Sequence, residues 1–247
     1  MLSKFFKLLK ESILLQCWVI LLLFIVLMCF VPISNGYGRL FFVITIPAFW
    51  ASSIYMLKNY KIIATVLFGL GIAFILFLIL PGSESKNKSL RVSYINSLKS
   101  YEGTKYIWGG ENRIGIDCSG LVRNGLINAN IKQSFLTFNP KLFRNAFKLW
   151  WYDCSAKAIR DGYKNFANHK FKAKTINDID TSKLNIGDIA VTTGGSHILA
   201  YIGNNKWIEA DPGIRKTVII KTPSKNPWFN MPIYILEWSQ FTENNIK

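Results

Sequence analysis

Cys118 lies in Gly109-Gly110-Glu111-Asn112-Arg113-Ile114-Gly115-Ile116-Asp117-Cys118-Ser119-Gly120-Leu121-Val122, where a glycine-rich polar loop runs into an apolar, helix-compatible stretch. This layout predicts a thiol in the first turn of a helix, where unpaired backbone N–H groups and the helix dipole favour a thiolate. A cysteine nucleophile needs a base, and the chain holds only two histidines. His169 stands in Ala167-Asn168-His169-Lys170 without a motif around it and reads as a surface residue. His197 opens the alternating run His197-Ile198-Leu199-Ala200-Tyr201-Ile202-Gly203, which reads as a strand turning at Asn204-Asn205 into Lys206–Ala210. That hairpin brings Glu209 across the ladder from His197. A thiol, an imidazole and a third polar group to orient the imidazole form the cysteine version of the triad, here Cys118, His197 and Glu209.

The elements that position these groups follow from local patterns. Val92, Ile95, Leu98 and Tyr101 recur at helical spacing and predict a helix over Leu90–Tyr101 that ends before Gly103. Cys118–Asn130 is the helix carrying the thiol. Ile186–Val191 reads as a turn and strand, Thr192–Ser196 as a small-residue loop, and Thr217–Lys221 and Ile233–Trp238 as further strands. Cys154 reads as a packing residue. With no paired C-x-x-C spacing, a zinc site is not expected.

Taken together, these residues resemble the NlpC-type cell-wall cysteine peptidases. The shared pattern is Tyr106 twelve residues before the cysteine, Gly109-Gly110, Asp117-Cys118-Ser119-Gly120, Gly187-Asp188, and His197 followed by Ala200-Tyr201-Ile202-Gly203, covering roughly residues 90–215. The resemblance implies a papain-like α+β fold, with helices packed on an antiparallel sheet that carries His197. It also implies hydrolysis of amide bonds in peptidoglycan stem peptides without a cofactor, with Cys118 as nucleophile, His197 as base and backbone N–H groups at the helix start as oxyanion donors. Tyr106 matches the family tyrosine beside the nucleophile, and is otherwise an aromatic packed under the helix. Asp117 and Ser119 are expected to shape the loop and cap the helix, and Gly120, Trp108 and Ser196 to shape the loop and substrate cleft. Asp188 is read as a turn residue.

Two features depart from the family pattern. The third polar residue is usually His, Asn or Gln, and the matching position here is Glu209. A carboxylate is chemically competent there and favours a thiolate–imidazolium pair. The Cys118–His197 separation of 79 residues is long, so a segment at about 131–181 reads as an insert. Its aromatics, Phe135 to Phe166, interleave with Lys141, Arg144, Lys148, Lys157, Arg160 and Lys164. That pattern suits either a basic amphipathic helical pair on a membrane surface or over the cleft, or two ordinary helices covering the sheet.

Composition changes sharply at Pro81-Gly82. Residues 1–81 are read as a membrane anchor with spans at about 13–31, 40–57 and 62–80, residues 82–89 as a linker, and residues 90–247 as the hydrolase domain. Lys4, Lys7, Lys10, Lys58 and Lys61 place the N-terminus and second turn inside, which puts the domain outside a bacterial cytoplasmic (inner) membrane; Lys86, Lys88 and Arg91 oppose that orientation. The net charge is +16, of which the part beyond Pro81, with 24 Lys/Arg against 13 acids, contributes +11. Besides stem peptides and the bilayer itself, that surface suits an anionic wall polymer or lipid headgroups. No nucleic-acid module is visible, so nucleic acid is not expected. The leading expectation is a membrane-anchored cysteine hydrolase of wall peptides. Its rivals are a catalytically silent wall-peptide-binding or scaffold protein, and a cysteine acyl- or amidohydrolase of lipid-linked or protein substrates.

Overall fold

The computed structural model describes residues 2–33, 35–83 and 87–242, and divides into two compact units, Met1–Leu80 and Pro81–Lys247. The first unit holds α1 (Leu2–Phe30), α2 (Gly36–Met56) and α3 (Lys61–Ile79), each containing a stretch long and apolar enough to cross a membrane. The middle helix is the most polar, and its hydroxyls are absorbed locally. Thr45 donates to the Phe41 carbonyl and Ser53 to Phe49, while Ser53 also accepts from Trp18 Nε1 of α1 at 2.8 Å. Such bonds let Ser and Thr reside in apolar helices without an unpaired polar group.

The second unit is α+β. It contains α4 (Asn87–Lys99), α5 (Cys118–Leu136), α6 (Pro140–Trp151) and α7 (Ala156–Arg160). Its strands are β1 (Ala167–Ala173), β2 (Ile189–Thr192), β3 (Ile198–Gly203), β4 (Lys206–Asp211), β5 (Lys216–Lys221) and β6 (Ile233–Trp238). They form one sheet in the order β1-β6-β2-β3-β4-β5, with every neighbouring pair antiparallel. Asn204 and Asn205, both at positive φ (53° and 58°), make the tight turn between β3 and β4. Asparagine tolerates that left-handed geometry, which matches the twist of the flanking strands.

Both faces of the sheet are covered. Ile198, Ala200, Ile208 and Ala210 pack with the helices, chiefly Leu121, Val122 and Leu126 of α5 and Tyr94 and Leu98 of α4. Leu199, Tyr201, Trp207, Ile233 and Ile235 face the other way, against Ile176, Leu184 and Phe229. Burying each α5 leucine contributes roughly 1.5–3 kcal/mol, so the helix that carries Cys118 is held by the core rather than by propensity.

Several boundaries differ from expectation. The first helix of this unit starts at Asn87, so the expected linker of 82–89 is shorter; residues 84–86 lie outside the described residues. Its buried side is Leu90, Tyr94, Ile95 and Leu98, with Tyr101 buried just beyond its end; of the expected stripe only Val92 is exposed. The Cys118 helix runs on to Leu136. The inserted segment is not wholly helical: its last part supplies β1, an edge strand that pairs with β6 and carries a bulge between His169 and Phe171.

Candidate active site

The loop before α5 folds back on itself. Ile107 N donates to the Ile116 carbonyl, Gly110 N to Ile107, and Asp117 N to Gly110. This closure delivers Asp117 as the N-cap of α5, where its carboxylate accepts from Gly120 N at 2.6 Å, Ser119 Oγ at 2.9 Å and Gly109 N at 2.9 Å. Three donors from both sides of the junction make Asp117 the organiser of the loop, and such a cap contributes about 1 kcal/mol to the helix alone. Gly120 is required by close approach, since a Cβ there would collide with the Gly110 carbonyl oxygen. Ser119 Oγ also reaches the Cys154 carbonyl at 3.3 Å, which ties the inserted segment to the first turn.

Cys118 is the first residue of α5 and is buried. Its thiol is pushed up to about 12, first by burial and then by the Asp117 carboxylate; the backbone N–H groups of Ser119, Ile198 and Cys118 itself pull the other way. The expectation of a thiolate favoured by the helix start is therefore corrected. The N–H groups do act in that direction, but the loss of water around the sulfur and the adjacent anion outweigh them. The effect of Ile198 N–H also locates the sulfur beside the start of β3, next to His197.

His197 immediately precedes β3 and is buried; its Nε2 lies 2.5 Å from Glu209 Oε2. The β3–β4 register pairs Ala200 with Ile208, which makes His197 and Glu209 diagonal neighbours on one face of the hairpin. Glu209 is fully buried, and burial raises its carboxyl, opposed by the hydrogen bond and charge of His197 and reinforced by Asp211. Asn226 Nδ2 donates to Glu209 Oε1 at 3.2 Å and to Asp211 Oδ2 at 2.7 Å, bridging the two carboxylates. Asp211 Oδ1 in turn accepts from the backbone N–H groups of Gly213 and Ile214. Two residues after Asn226, the Trp228 ring stacks on the His197 imidazole at 4.2 Å between centroids and 22° between planes. One ring nitrogen of His197 is thus committed to Glu209, one face of the ring is covered, and the carboxylate is held by its own donor.

Tyr106 is half-buried; its phenol is raised, first by burial and then by the charges of Cys118, Asp117 and Asp211. Those neighbours bring it into the same cluster, as a hydroxyl that keeps its proton. Trp108, four-fifths exposed, stands out from the loop into solvent. Ser196 is exposed and bonded within its own turn, its N–H donating to Thr192 Oγ1 at 2.9 Å with the two hydroxyls 3.0 Å apart. Asp188 is more than a turn residue: it is buried, accepting from Lys170 Nζ at 2.7 Å and Asn185 N at 2.9 Å.

Sequence reasoning missed Asn226, Trp228 and Arg123. Asn226-Pro227 carries the signature of a helix start and nothing chemical, so only the long β5–β6 connection reveals its role. Arg123, a lone charge on the apolar side of α5, is buried; it pairs with Glu111 of the preceding loop and donates from Nη1 to the Tyr152 carbonyl at 2.6 Å. Tyr163 hydroxyl donates to the same carbonyl at 2.7 Å. Among the described residues no group of three or more His, Cys, Asp or Glu side chains is placed to hold a metal ion.

The NlpC/P60 family matches residues 103–235, more than half of the chain. No curated protein matches. Solved structures that resemble it include the peptidoglycan hydrolase RipB of Mycobacterium tuberculosis (18% identity, 62% of this chain and 66% of that one, TM-score 0.39). Others are the P60 domain of an M. avium subspecies paratuberculosis antigen (19%, 62% and 97%, 0.38) and NlpC2 of Trichomonas vaginalis (16%, 66% and 50%, 0.39). The chain thus spans half of NlpC2 and 66% of RipB.

Proposed function

The chain belongs to the NlpC/P60 family, and we propose that it is a membrane-anchored cysteine peptidase or amidohydrolase that cleaves amide bonds in peptidoglycan stem peptides. The observation that carries this reading is the His197–Glu209 pair at the strand start whose Ile198 N–H acts on the Cys118 sulfur. Because Nε2 of His197 is held by Glu209, Nδ1 is the ring nitrogen left to take the thiol proton.

With its thiol held high, Cys118 rests protonated, and His197 removes the proton as the sulfur attacks the scissile carbonyl. Glu209 stabilises the imidazolium that forms. The backbone N–H groups at the start of α5 receive the developing oxyanion, and the Tyr106 hydroxyl adds a neutral donor. His197 returns the proton to the departing amine as the C–N bond breaks. Water then hydrolyses the thioester, leaving a carboxylate and restoring the thiol. Asp117 holds the loop and helix start in register; Ser119, Gly120, Trp108 and Ser196 border the substrate path.

The catalytic domain is assigned to the outer side of a bacterial cytoplasmic membrane. Arg91, one of the cations that opposed this orientation, is used within the domain, donating to the Ile186 and Phe241 carbonyls at 3.0 and 2.8 Å. A reporter active only outside the cytoplasm, fused after Lys247, is expected to be active. For the activity, the full chain in lipid nanodiscs is incubated with defined stem peptides and products are followed by mass spectrometry. Cleavage by the native chain and none by Cys118→Ala supports the reading. Absence of Cys118-dependent cleavage of every stem peptide, with cleavage of a lipid-linked or protein amide instead, replaces the substrate class.

A further inference from the structure

The end of α5 and the outer side of α6 are built differently from the rest of the domain surface. Leu142, Ala146 and Leu149 bury one side of α6. Along the other, aromatic rings meet in succession: Phe135 with Phe143 at 6.0 Å, and Phe147 with Trp151 at 5.9 Å. Lys141, Arg144 and Lys148 repeat at helical spacing beside them, and no acidic residue occurs between Asp117 and Asp153. Where α5 ends and turns into α6, Phe135, Leu136 and Phe138 are 62%, 68% and 70% exposed. Phe138 does so at a positive φ of 47°, a conformation a bulky side chain adopts at a cost. Three large apolar side chains presented by four consecutive residues, bordered by cations, make a patch that water disfavours and an anionic lipid interface accepts.

The course of the chain points to a bilayer as the occupant. Leu80 caps the third apolar helix, and Ser83 follows three residues later, a reach of at most about 10 Å. Ser83 is fastened to this turn: its carbonyl accepts from Asn139 Nδ2 at 2.9 Å. Gly82 packs so closely that a Cβ would stand 2.5 Å from both Asn139 Oδ1 and Lys141 Cβ. The exposed aromatics therefore belong to the turn that holds the residues directly following an apolar span in sequence.

We infer that the α5–α6 turn and the outer side of α6 form a second membrane contact. Phe135, Leu136 and Phe138 enter the interfacial layer, while Lys141, Arg144 and Lys148 pair with anionic headgroups. The consequence for function is geometric. Cys118 and Leu136 are the two ends of one 19-residue helix, about 27 Å long at 1.5 Å per residue. A bilayer contact at one end fixes the greatest height at which the other end works.

The test uses the full chain with Phe138→p-benzoylphenylalanine in nanodiscs containing phosphatidylglycerol, irradiated and weighed intact. The control carries the probe at Ile214, an exposed apolar position on the β4–β5 connection. Lipid adducts at 138 are expected at least fivefold above those at 214. They should fall several-fold when Lys141, Arg144 and Lys148 are changed to Glu, and also in phosphatidylcholine alone. Equal lipid adducts at the two positions, yields indifferent to the three charges and to the lipid, or a dominant adduct with a second copy of the chain would each overturn the inference. None of these readouts depends on catalysis, so they stand apart from the peptide-cleavage test.

Discussion

Replacing Glu209 with glutamine separates what the buried carboxylate does for catalysis from what it costs the fold. Its Oε2 lies 2.5 Å from His197 Nε2 and its Oε1 accepts from Asn226. An amide keeps the shape and can still accept one hydrogen bond, but the bond to an imidazolium is no longer charge-assisted. Bonds to charged groups are worth about 1.5–3 kcal/mol against about 1 kcal/mol for neutral ones. The variant thus forfeits about 1–2 kcal/mol where the imidazole is positive, a roughly 5- to 30-fold fall in kcat. Stability moves with the opposite sense. Burial raises the Glu209 carboxyl above its ordinary value of 4.5, so folding favours its protonated form. Its contribution is greatest below that ordinary value and is lost as pH rises through the raised one. Glutamine has no such loss, so the melting temperature of the native chain should decline relative to Glu209→Gln between pH 4 and pH 8. Turnover of a stem peptide and thermal melts across that range are the assays. A kcat within twofold of native, or a stability difference that moves the other way with pH, refutes the reasoning.

Other outcomes follow from the same geometry. With the thiol held at about 12 by burial and Asp117, alkylation of Cys118 by iodoacetamide should be slow at neutral pH and accelerate steadily above pH 8, read by peptide mass spectrometry; a plateau already reached at pH 6 would mean a preformed thiolate. Arg123→Met removes the buried cation that pairs with Glu111 and one of the two donors to the Tyr152 carbonyl, and should cost about 3 kcal/mol in denaturant unfolding. Trp228→Ala uncovers one face of His197; losing a ring contact worth about 0.5–1.5 kcal/mol should lower kcat/KM roughly 2- to 10-fold with little change in the pH 7 melting temperature.

How much was legible in the sequence depended on whether the deciding contacts were local. The Asn204-Asn205 turn, β6, the three apolar helices and the capping role of Asp117 could be read because neighbouring residues decide them. The hairpin placement of Glu209 belongs with them, since a two-residue turn sets the register. Strand β1 was missed because Ala167–Ala173 is polar, partly exposed at the sheet edge and interrupted by a bulge, so it carries no clean alternation. Thiol acidity was misjudged for a different reason. The helix start is visible locally, whereas the burial that dominates exists only in the folded core, where Cys118 packs in one cluster with residues as distant in the chain as Ile198 and Trp238. Asn226 and Trp228 return to the site from beyond β5, and no spacing rule connects them to His197.

In the proposed reaction Cys118 and His197 act as one nucleophile–base pair on a wall-peptide amide. Its most direct test is kcat/KM for a single cleavable stem peptide, measured on the full chain in nanodiscs for the native protein, Cys118→Ala and His197→Ala. Each substitution is expected to lower kcat/KM by roughly 10³-fold or more, with no further loss when the two are combined. Retention of activity within tenfold by either single variant would contradict it.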